Sequence, residues 1–279
     1  MSDRPKEGQH PASGQPAHGQ RAPAPIGSGR TQDEQLLRPP HREPKPFTET
    51  DTWRVLRIMG EFVSGFDTLA GLGPAVTIFG SARITEDNPQ YKAAVEVARL
   101  LGEAGFCIIT GGGPGIMEAG NQGAREAAAR SIGLNIELPF EQGTNRFVEV
   151  PINFHYFFVR KTMFVKYAQG FVIFPGGFGT MDELFEALTL IQTGKVQNFP
   201  VILFDSDYWE GLLNWLRETM LEQGKIGPED FDLLVVTDSP GEVRDVIVAA
   251  SQEKGLHLQQ EEKAREATRE AYGGSYNPE

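Results

Sequence analysis

Short, continuously apolar segments alternate with helical segments along most of this 279-residue chain. The first apolar segment is Ala75–Phe79, and an amphipathic pattern over residues 90–104 follows it. Apolar strands that alternate with helices are typical of a parallel sheet covered on both faces. The sequence therefore predicts an α/β fold in a single domain: a Rossmann-like, doubly wound parallel sheet with helices on both faces.

The same patterns predict where each element lies. We predict strands at residues 75–79, 106–109, 132–137, 147–150, 171–174, 200–204 and 233–236. We predict helices at residues 53–69, 90–104, 154–169, 180–191 and 208–223, one after Pro114, and one from Ser239. Pro114 suits a first helical turn, because the N–H that proline lacks is not needed there.

The two ends of the chain differ in composition from its middle. Residues 1–46 hold nine of the nineteen prolines and three of the five histidines, so we predict a disordered tail with solvated histidines. Residues 47–252 form the predicted domain, and residues 253–279 a polar helical or disordered tail. The opening amphipathic helix of the domain carries apolar residues at helical spacing from Trp53 to Leu69.

Composition narrows the class of protein. The single cysteine, Cys107, excludes disulfides within one chain and cysteine-based metal sites. No apolar run approaches the ~20 residues that a membrane helix needs. The net charge of −12 argues against broad binding to a nucleic-acid backbone. These facts favour a cytoplasmic protein without nucleic-acid or membrane partners.

Two glycine-rich turns each follow a predicted strand and precede a predicted helix. They are residues 111–115 (GGGPG) and 176–180 (GGFGT). Glycine allows close approach to the backbone, and a new helix offers unpaired N–H groups, so we expect a phosphorylated ligand between the two turns. The alternative is a pair of tight connections without a ligand. Residues 113–118 lack the GxGxxG spacing of a dinucleotide-binding turn. Val196 after Lys195 departs from the GK[ST] end of a P-loop, so neither of these nucleotide-binding motifs is present.

Arg160 and Glu183 are the strongest catalytic candidates. Arg160 lies in an unusually apolar helix and can bind a carboxylate, phosphate or sugar, or form a structural pair with an acid. Lys161 points about 100° away around the helix and suits an ion pair. Glu183 would lie beside a ligand at Gly176, but Thr180 and Glu183 also match a capping box.

Other polar residues fall at the same predicted edge of the sheet. Ser81 and Arg83 follow the first strand and are candidate phosphate or base contacts, although Ser81 can simply cap a turn. Phe178 can stack on a base or seal its turn. Gln192 ends a helix and is a further candidate contact, whereas His155 suits a core or capping role.

These motifs together resemble those of the LONELY GUY (LOG) family of cytokinin riboside 5′-monophosphate phosphoribohydrolases. Residues 175–183 resemble its PGGxGTxxE signature, and residues 160–163 are similar to its RKxxM helix. The resemblance covers residues 75–249. The helix before the first strand and residues 136–139 look more like the longer bacterial branch. Asp182 stands where many members carry glutamate.

The resemblance implies hydrolysis of the N-glycosidic bond of adenosine 5′-monophosphate or an N6-substituted relative, without metal or organic cofactor. Glu183 would stabilise or attack the cationic sugar, and Arg160 would hold the ribose or orient the acid. The expected substrate-binding residues are Gly80, Ser81, Arg83, Gly112, Gly113, Gly115, Met117, Glu118, Lys161, Gly176, Gly177, Gly179, Thr180, Asp182 and Gln192. A homo-oligomer, a dimer or larger, is also implied. The alternatives are a broad nucleotide nucleosidase and a non-catalytic nucleotide-binding module.

Overall fold

A seven-stranded parallel sheet forms the centre of the protein. The computed structural model describes residues 31–39, 46–138 and 143–271. The strands are Ala75–Phe79 (β1), Cys107–Thr110 (β2), Ser131–Ile136 (β3), Val150–Phe154 (β4), Ala168–Ile173 (β5), Val201–Phe204 (β6) and Leu234–Thr237 (β7). All neighbours pair in parallel, in the order β4-β3-β2-β1-β5-β6-β7. This sheet confirms the predicted fold class.

Helices cover both faces of the sheet. They are Gln32–Leu36 (α1), Asp51–Leu69 (α2), Pro89–Glu103 (α3), Ile116–Glu126 (α4), Phe157–Tyr167 (α5), Phe178–Gln192 (α6), Ser206–Trp215 (α7) and Pro240–Ala271 (α8). Short 3₁₀ turns lie at Phe47–Glu49 and Pro228–Leu233, and a π-helical segment at Leu216–Leu221 extends α7. No helix in the described part of the chain is long and apolar enough to cross a membrane.

The core has two layers, one on each side of the sheet. In β1, Val76 and Ile78 belong to the layer under α3, α4 and α8, while Ala75 and Phe79 belong to the layer under α5, α6 and α7. Successive side chains of a strand point to opposite faces, so a strand between two helical layers must be apolar at nearly every position. This requirement explains the uninterrupted apolar segments in the sequence.

The chain reverses its direction across the sheet next to β1. From β1 it passes through α3 to β2 and continues outward to β4, and α5 then returns it to β5 on the other side of β1. In open α/β sheets, ligands bind beyond the carboxyl ends of the strands at such a reversal. Both glycine-rich turns follow strands at this edge of the sheet.

Two predicted boundaries near β4 were wrong. The predicted strand at 147–150 is instead a turn, in which the Val148 N–H bonds the Asn145 carbonyl, and β4 begins at Val150. Pro151 conceals the strand in the sequence, but β4 is an edge strand and an edge tolerates proline. The predicted helix at 154–169 is shorter, since Phe154 ends β4 and Ala168 already pairs with Ala75.

The start of α4 also differs from the prediction. Pro114 lies outside the first turn of α4, whose N-cap is Gly115 with φ 69°. Helix α1 lies within the predicted N-terminal tail, and residues 1–30, 40–45 and 272–279 of the predicted tails lie outside the described residues. Helix α8 runs from Pro240 to Ala271 and includes most of the segment predicted as a helical or disordered tail.

Candidate active site

A cavity of about 870 Å³ opens at the carboxyl edge of the sheet, where the chain reverses. The loops after β1, β2, β3 and β5 and the helices α5, α6 and α7 contribute to its wall. Twelve of the expected catalytic and substrate-binding residues line it: Gly80, Ser81, Arg83, Gly113, Met117, Arg160, Gly176, Gly177, Gly179, Thr180, Asp182 and Glu183. Phe178, the candidate for stacking on a base, lines it as well and is exposed.

The second glycine-rich turn forms the open amino end of α6. The helix begins at Phe178 with Gly177 as its N-cap, and no side chain caps it. Intrahelical bonding starts with the Met181 N–H, which donates to the Gly177 carbonyl at 3.0 Å. The N–H groups of residues 177–180 have no acceptor among the described residues. Such a group of free donors, with the helix dipole, is suited to binding an anion.

Glycines 177 and 179 are not required by the protein's own packing. A Cβ atom added to either would meet nothing within 4 Å, and neither residue has a positive φ. Gly179 lies inside a helix, where glycine costs roughly 1 kcal/mol relative to alanine. Gly176 differs, because an added Cβ would collide with the Thr180 side chain. The bare backbone at Gly177 and Gly179 therefore leaves space for a ligand.

Glu183 is a buried carboxyl group at the wall of the cavity, only 5% exposed. Because α6 begins at Phe178, Thr180 is inside the helix and the capping box considered from the sequence does not form. Oε2 of Glu183 is buried and has no hydrogen-bond partner. Burial raises the pKa of Glu183 to about 7, although Lys161 and Arg160 oppose the shift.

Lys161 binds two acids of α6, one on each side of Glu183 in the sequence. Its Nζ is 2.9 Å from Oδ2 of Asp182 and 3.1 Å from Oε2 of Glu186. Burial lowers the pKa of Lys161, but the hydrogen bonds to both acids outweigh that effect and raise it. Lys161 therefore remains charged, and it supplies positive potential to the Glu183 carboxyl.

Arg160 is held at the cavity by backbone carbonyls. Its Nε donates to the Leu134 carbonyl at 2.7 Å, Nη2 donates to the Gly111 carbonyl at 3.4 Å, and the guanidinium lies 4.9 Å from the centre of the Phe164 ring. It forms no ion pair within 4 Å with any described acid, so the structural pairing considered from the sequence is not seen. Burial lowers the pKa of Arg160 to about 10, against the effect of Glu183, and the group stays cationic at neutral pH.

The first glycine-rich turn is held by hydrogen bonds to residues on both sides of it and to the loop after β1. The Gly112 N–H donates to Thr110 Oγ1 at 3.0 Å, the Ile116 N–H donates to the Ser81 carbonyl at 3.0 Å, and Pro114 has no N–H. Asn145 Nδ2 donates to the carbonyls of Gly112 and Gly113 at 3.1 and 3.0 Å. The N–H groups of Gly113 and Gly115 have no acceptor among the described residues. This turn therefore shapes the wall and orients Arg160, and it offers free donors as the second turn does.

Five of the predicted binding residues do not line the cavity. Gly112 and Gly115 are buried in the first turn, where Gly115 packs on the Ser81 carbonyl. Oε1 of Glu118 lies 3.8 Å from Nε of Arg146. Lys161 binds Asp182 and Glu186, as described above. Gln192 donates to Asp230 at 2.7 Å and lines a separate cavity of about 120 Å³.

The cavity also contains residues that sequence reasoning missed. Tyr208 comes from α7, Phe157 from the first turn of α5, and Asn135 from the end of β3. Asn135 Nδ2 donates to Thr144 Oγ1 and Asn153 Oδ1, at 2.7 and 2.9 Å. Asn135 could have been predicted as a cavity residue, because it is a polar residue near the carboxyl end of a strand. The local sequence gives no sign that Tyr208 or Phe157 lies at the cavity.

Comparison with known proteins gives consistent matches. A family model described as "Possible lysine decarboxylase" matches residues 117–247. A rice protein, probable cytokinin riboside 5′-monophosphate phosphoribohydrolase LOG4, is 29% identical over 65% of this chain and 80% of its own. The pyrimidine/purine nucleotide 5′-monophosphate nucleosidase of Escherichia coli is 32% identical over 54% of this chain but only 36% of its own. The X-ray structure of TM1055, a structural genomics target, matches 63% of this chain and 99% of its own, with a TM-score of 0.50 at 21% identity.

The fold and the cavity define a Rossmann-like α/β protein with a crevice at the reversal of its sheet. The match to the family model and the matches to several curated relatives agree with one another, and the chain is similar in sequence to proteins of the LONELY GUY family.

Proposed function

We propose that this protein is an enzyme that hydrolyses the N-glycosidic bond of adenosine 5′-monophosphate or an N6-substituted relative. The products are the free base and ribose 5-phosphate. The buried Glu183 carboxyl carries the proposal, because its unpartnered Oε2 lies in the wall of a cavity that also holds an open helix end. A protein that only binds nucleotides has no need of a buried acid at this place.

The phosphate is assigned to the amino end of α6. The free N–H groups of residues 177–180 can donate to phosphate oxygens, and the bare backbone at Gly177 and Gly179 lets those oxygens approach closely. The first turn can add a donor from the opposite wall, because Gly113 lines the cavity and its N–H has no acceptor in the part of the chain that the structure describes. The phosphate then positions the sugar over Glu183, which is two turns or less into the same helix.

Glu183 and Arg160 are assigned to the reacting sugar. As the bond between C1′ and the base nitrogen breaks, positive charge builds on the ribose ring, and ionised Glu183 stabilises or attacks that cation. Water supplies the oxygen that bonds to C1′ and one proton, which the departing base takes. Arg160 holds ribose hydroxyls or orients the Glu183 carboxylate, and neither metal nor organic cofactor enters the reaction.

A broad nucleotide nucleosidase is the second candidate. The relative from Escherichia coli is named as acting on pyrimidine and purine nucleotide 5′-monophosphates, and this supports wider base tolerance. A non-catalytic nucleotide-binding module is the third. The three candidates differ in which bases they release and whether they release any.

The deciding experiment is a panel of substrates with purified protein and chromatographic detection of free base. We expect release from adenosine 5′-monophosphate and its N6-isopentenyl derivative but not from adenosine, which lacks the phosphate. A kcat/KM for the plain nucleotide equal to or above that for the N6-derivative would argue against cytokinin release as the role. Equal release from uridine 5′-monophosphate would favour the broad nucleosidase. No release from any 5′-monophosphate by folded protein would leave only the binding module.

We also propose a cytoplasmic homo-oligomer of the longer bacterial type. Exposed apolar side chains on α2 support the assembly: Val55, Leu56, Met59 and Val63 are each more than half exposed. A second subunit is the natural cover for such a surface.

A further inference from the structure

The carbonyl group of Gly176, in the second glycine-rich turn, is bound by a side chain from another element. The Tyr208 hydroxyl donates to it at 2.6 Å. Tyr208 is on the first turn of α7, and its backbone N–H donates to the Asp205 carbonyl at 3.1 Å. Its ring packs edge-on against Trp209, at 4.9 Å between centres. Trp209 is fully buried and its Nε1 donates to the Phe204 carbonyl, so the ring against which Tyr208 packs is fixed in the core.

This hydrogen bond fixes one peptide plane at the anion site. In a trans peptide the C=O and the following N–H point in opposite directions. Binding the Gly176 carbonyl to Tyr208 therefore directs the Gly177 N–H away from the phenol. The peptide plane between two glycines would otherwise reorient through the adjoining φ and ψ angles at little steric cost, because glycine has no side chain and the space around Gly177 is open.

The chemistry of the hydroxyl separates two roles for Tyr208. A phenol has a single proton to donate, and here that proton is directed at Gly176. In this arrangement it is not available to a phosphate oxygen. Tyr208 lines the cavity, yet its effect on an anion must pass through the peptide that it orients.

We infer that Tyr208 is a positioning residue for the phosphate group: its hydroxyl holds the Gly176–Gly177 peptide so that the Gly177 N–H faces the ligand. The inference rests on the proposed function, because it takes a sugar 5-phosphate as the ligand. It assigns to α7 a role in recognising the phosphate, separate from the acid on α6 that acts on the sugar.

The test uses Tyr208→Phe, which removes the hydroxyl and keeps the ring. Tyr167→Phe is a matched control, because the Tyr167 hydroxyl also donates to a backbone carbonyl, that of Phe66 at 3.3 Å, and Tyr167 does not line the cavity. Calorimetry with ribose 5-phosphate and with adenosine measures the phosphate and nucleoside parts separately. Neither probe contains both the bond to be cleaved and the phosphate, so binding is measured without turnover.

We expect Tyr208→Phe to weaken ribose 5-phosphate binding about tenfold, equivalent to about 1.4 kcal/mol, and to change adenosine binding less than about twofold. Tyr167→Phe should change neither. In turnover of adenosine 5′-monophosphate, KM should rise about tenfold with kcat within about threefold. Unchanged ribose 5-phosphate affinity, equal weakening of both probes, or a loss of kcat at constant KM would each overturn the inference.

A measurement on the wild-type protein keeps the inference testable even where the variant does not fold. With ¹⁵N-glycine labelling, the Gly177 amide proton should shift downfield on addition of ribose 5-phosphate. An unchanged Gly177 signal at saturation, or no binding of ribose 5-phosphate, would contradict the inference. If the wild-type protein binds ribose 5-phosphate but releases no base, the proposed function fails while the role of Tyr208 is still decided by the binding data.

Discussion

The carboxyl group of Glu183 has a pKa of about 7, which makes its charge sensitive to pH in the neutral range. Burial is the main cause, and the cations Lys161 and Arg160 limit the shift. In the proposed reaction Glu183 acts as an ionised carboxylate. Activity should therefore be low where the group is protonated and should rise as the pH increases through about 7.

The first prediction concerns Lys161, the cation that lowers the pKa of this carboxyl. Lys161→Met removes a charge that lowers the pKa of Glu183 and leaves Asp182 and Glu186 without their shared partner. We expect the rising limb of kcat/KM against pH to move upward by about one unit. Lys166→Met removes the same charge from an exposed position on the same helix and should leave the limb in place. An unshifted limb in Lys161→Met would contradict this electrostatic role.

The second prediction uses the same carboxyl as a stability probe. The pKa of Glu183 in the folded protein is above its usual 4.5, so the protonated form is favoured by folding and stability is lost as the pH rises through about 7. The shift corresponds to about 3 kcal/mol. Glu183→Gln should therefore be more stable than the wild type at pH 8, and this advantage should shrink toward pH 5. Thermal unfolding at the two pH values measures it, and an advantage independent of pH would contradict the assigned pKa.

Single residues differ in how well the sequence revealed them. Glu183 and Arg160 were found because they lie in motifs, and the structure places both at the cavity. Gln192 was expected there because it ends a helix that starts there, but a 15-residue helix carries its last residue far from its first. Tyr208 was missed because its contact with Gly176 joins residues 32 positions apart.

Helix α6 combines an intrinsically poor helix residue with an open end, and this combination leads to the third prediction. Gly179→Ala adds a methyl group where the protein itself leaves open space. We expect an increase in the free energy of unfolding of up to about 1 kcal/mol in the absence of ligand. The same methyl group should weaken ribose 5-phosphate binding at least about tenfold, because it occupies the space assigned to the phosphate.

Gly211→Ala is the matched control for this prediction, because Gly211 also lies inside a helix, α7, with nothing within 4 Å of an added Cβ and outside the cavity. It should stabilise the protein without changing binding. Chemical denaturation and calorimetry on both variants are sufficient. Gly179→Ala with unchanged affinity would show that the phosphate is bound elsewhere.

At the level of helices and strands, the sequence predicted the alternation well because both sheet faces are buried and the strands are continuously apolar. The failures have local causes. Edge strand β4 contains a proline, and α5 passes into β5 without a connecting loop, so neither boundary has the usual signal. The capping-box pattern at Thr180 was misleading, because a bare Gly177 caps α6 instead.

The assembly of the whole molecule gives the fourth prediction. Leu56, Met59 and Val63 form an exposed apolar stripe on α2, while Ile58 and Phe62 of the same helix pack on the core. We expect a dimer or larger species by light scattering coupled to size exclusion at micromolar concentration. Val63→Glu should weaken this assembly at least about tenfold, and Thr68→Glu, on another face of α2, should not. A wild-type species of 30.7 kDa, the mass of one chain, would contradict the prediction.

The catalytic assignment is tested most directly by comparing Glu183→Gln with the wild-type protein in release of adenine from adenosine 5′-monophosphate. Glu186→Gln is the control, since it removes a charge one turn further along the same helix without lining the cavity. We expect Glu183→Gln to lower kcat at least about a hundredfold while its affinity for ribose 5-phosphate stays within about tenfold of the wild type. Glu186→Gln should keep most of its turnover. Wild-type turnover in Glu183→Gln would contradict the account, because the buried carboxyl would then have no part in breaking the bond.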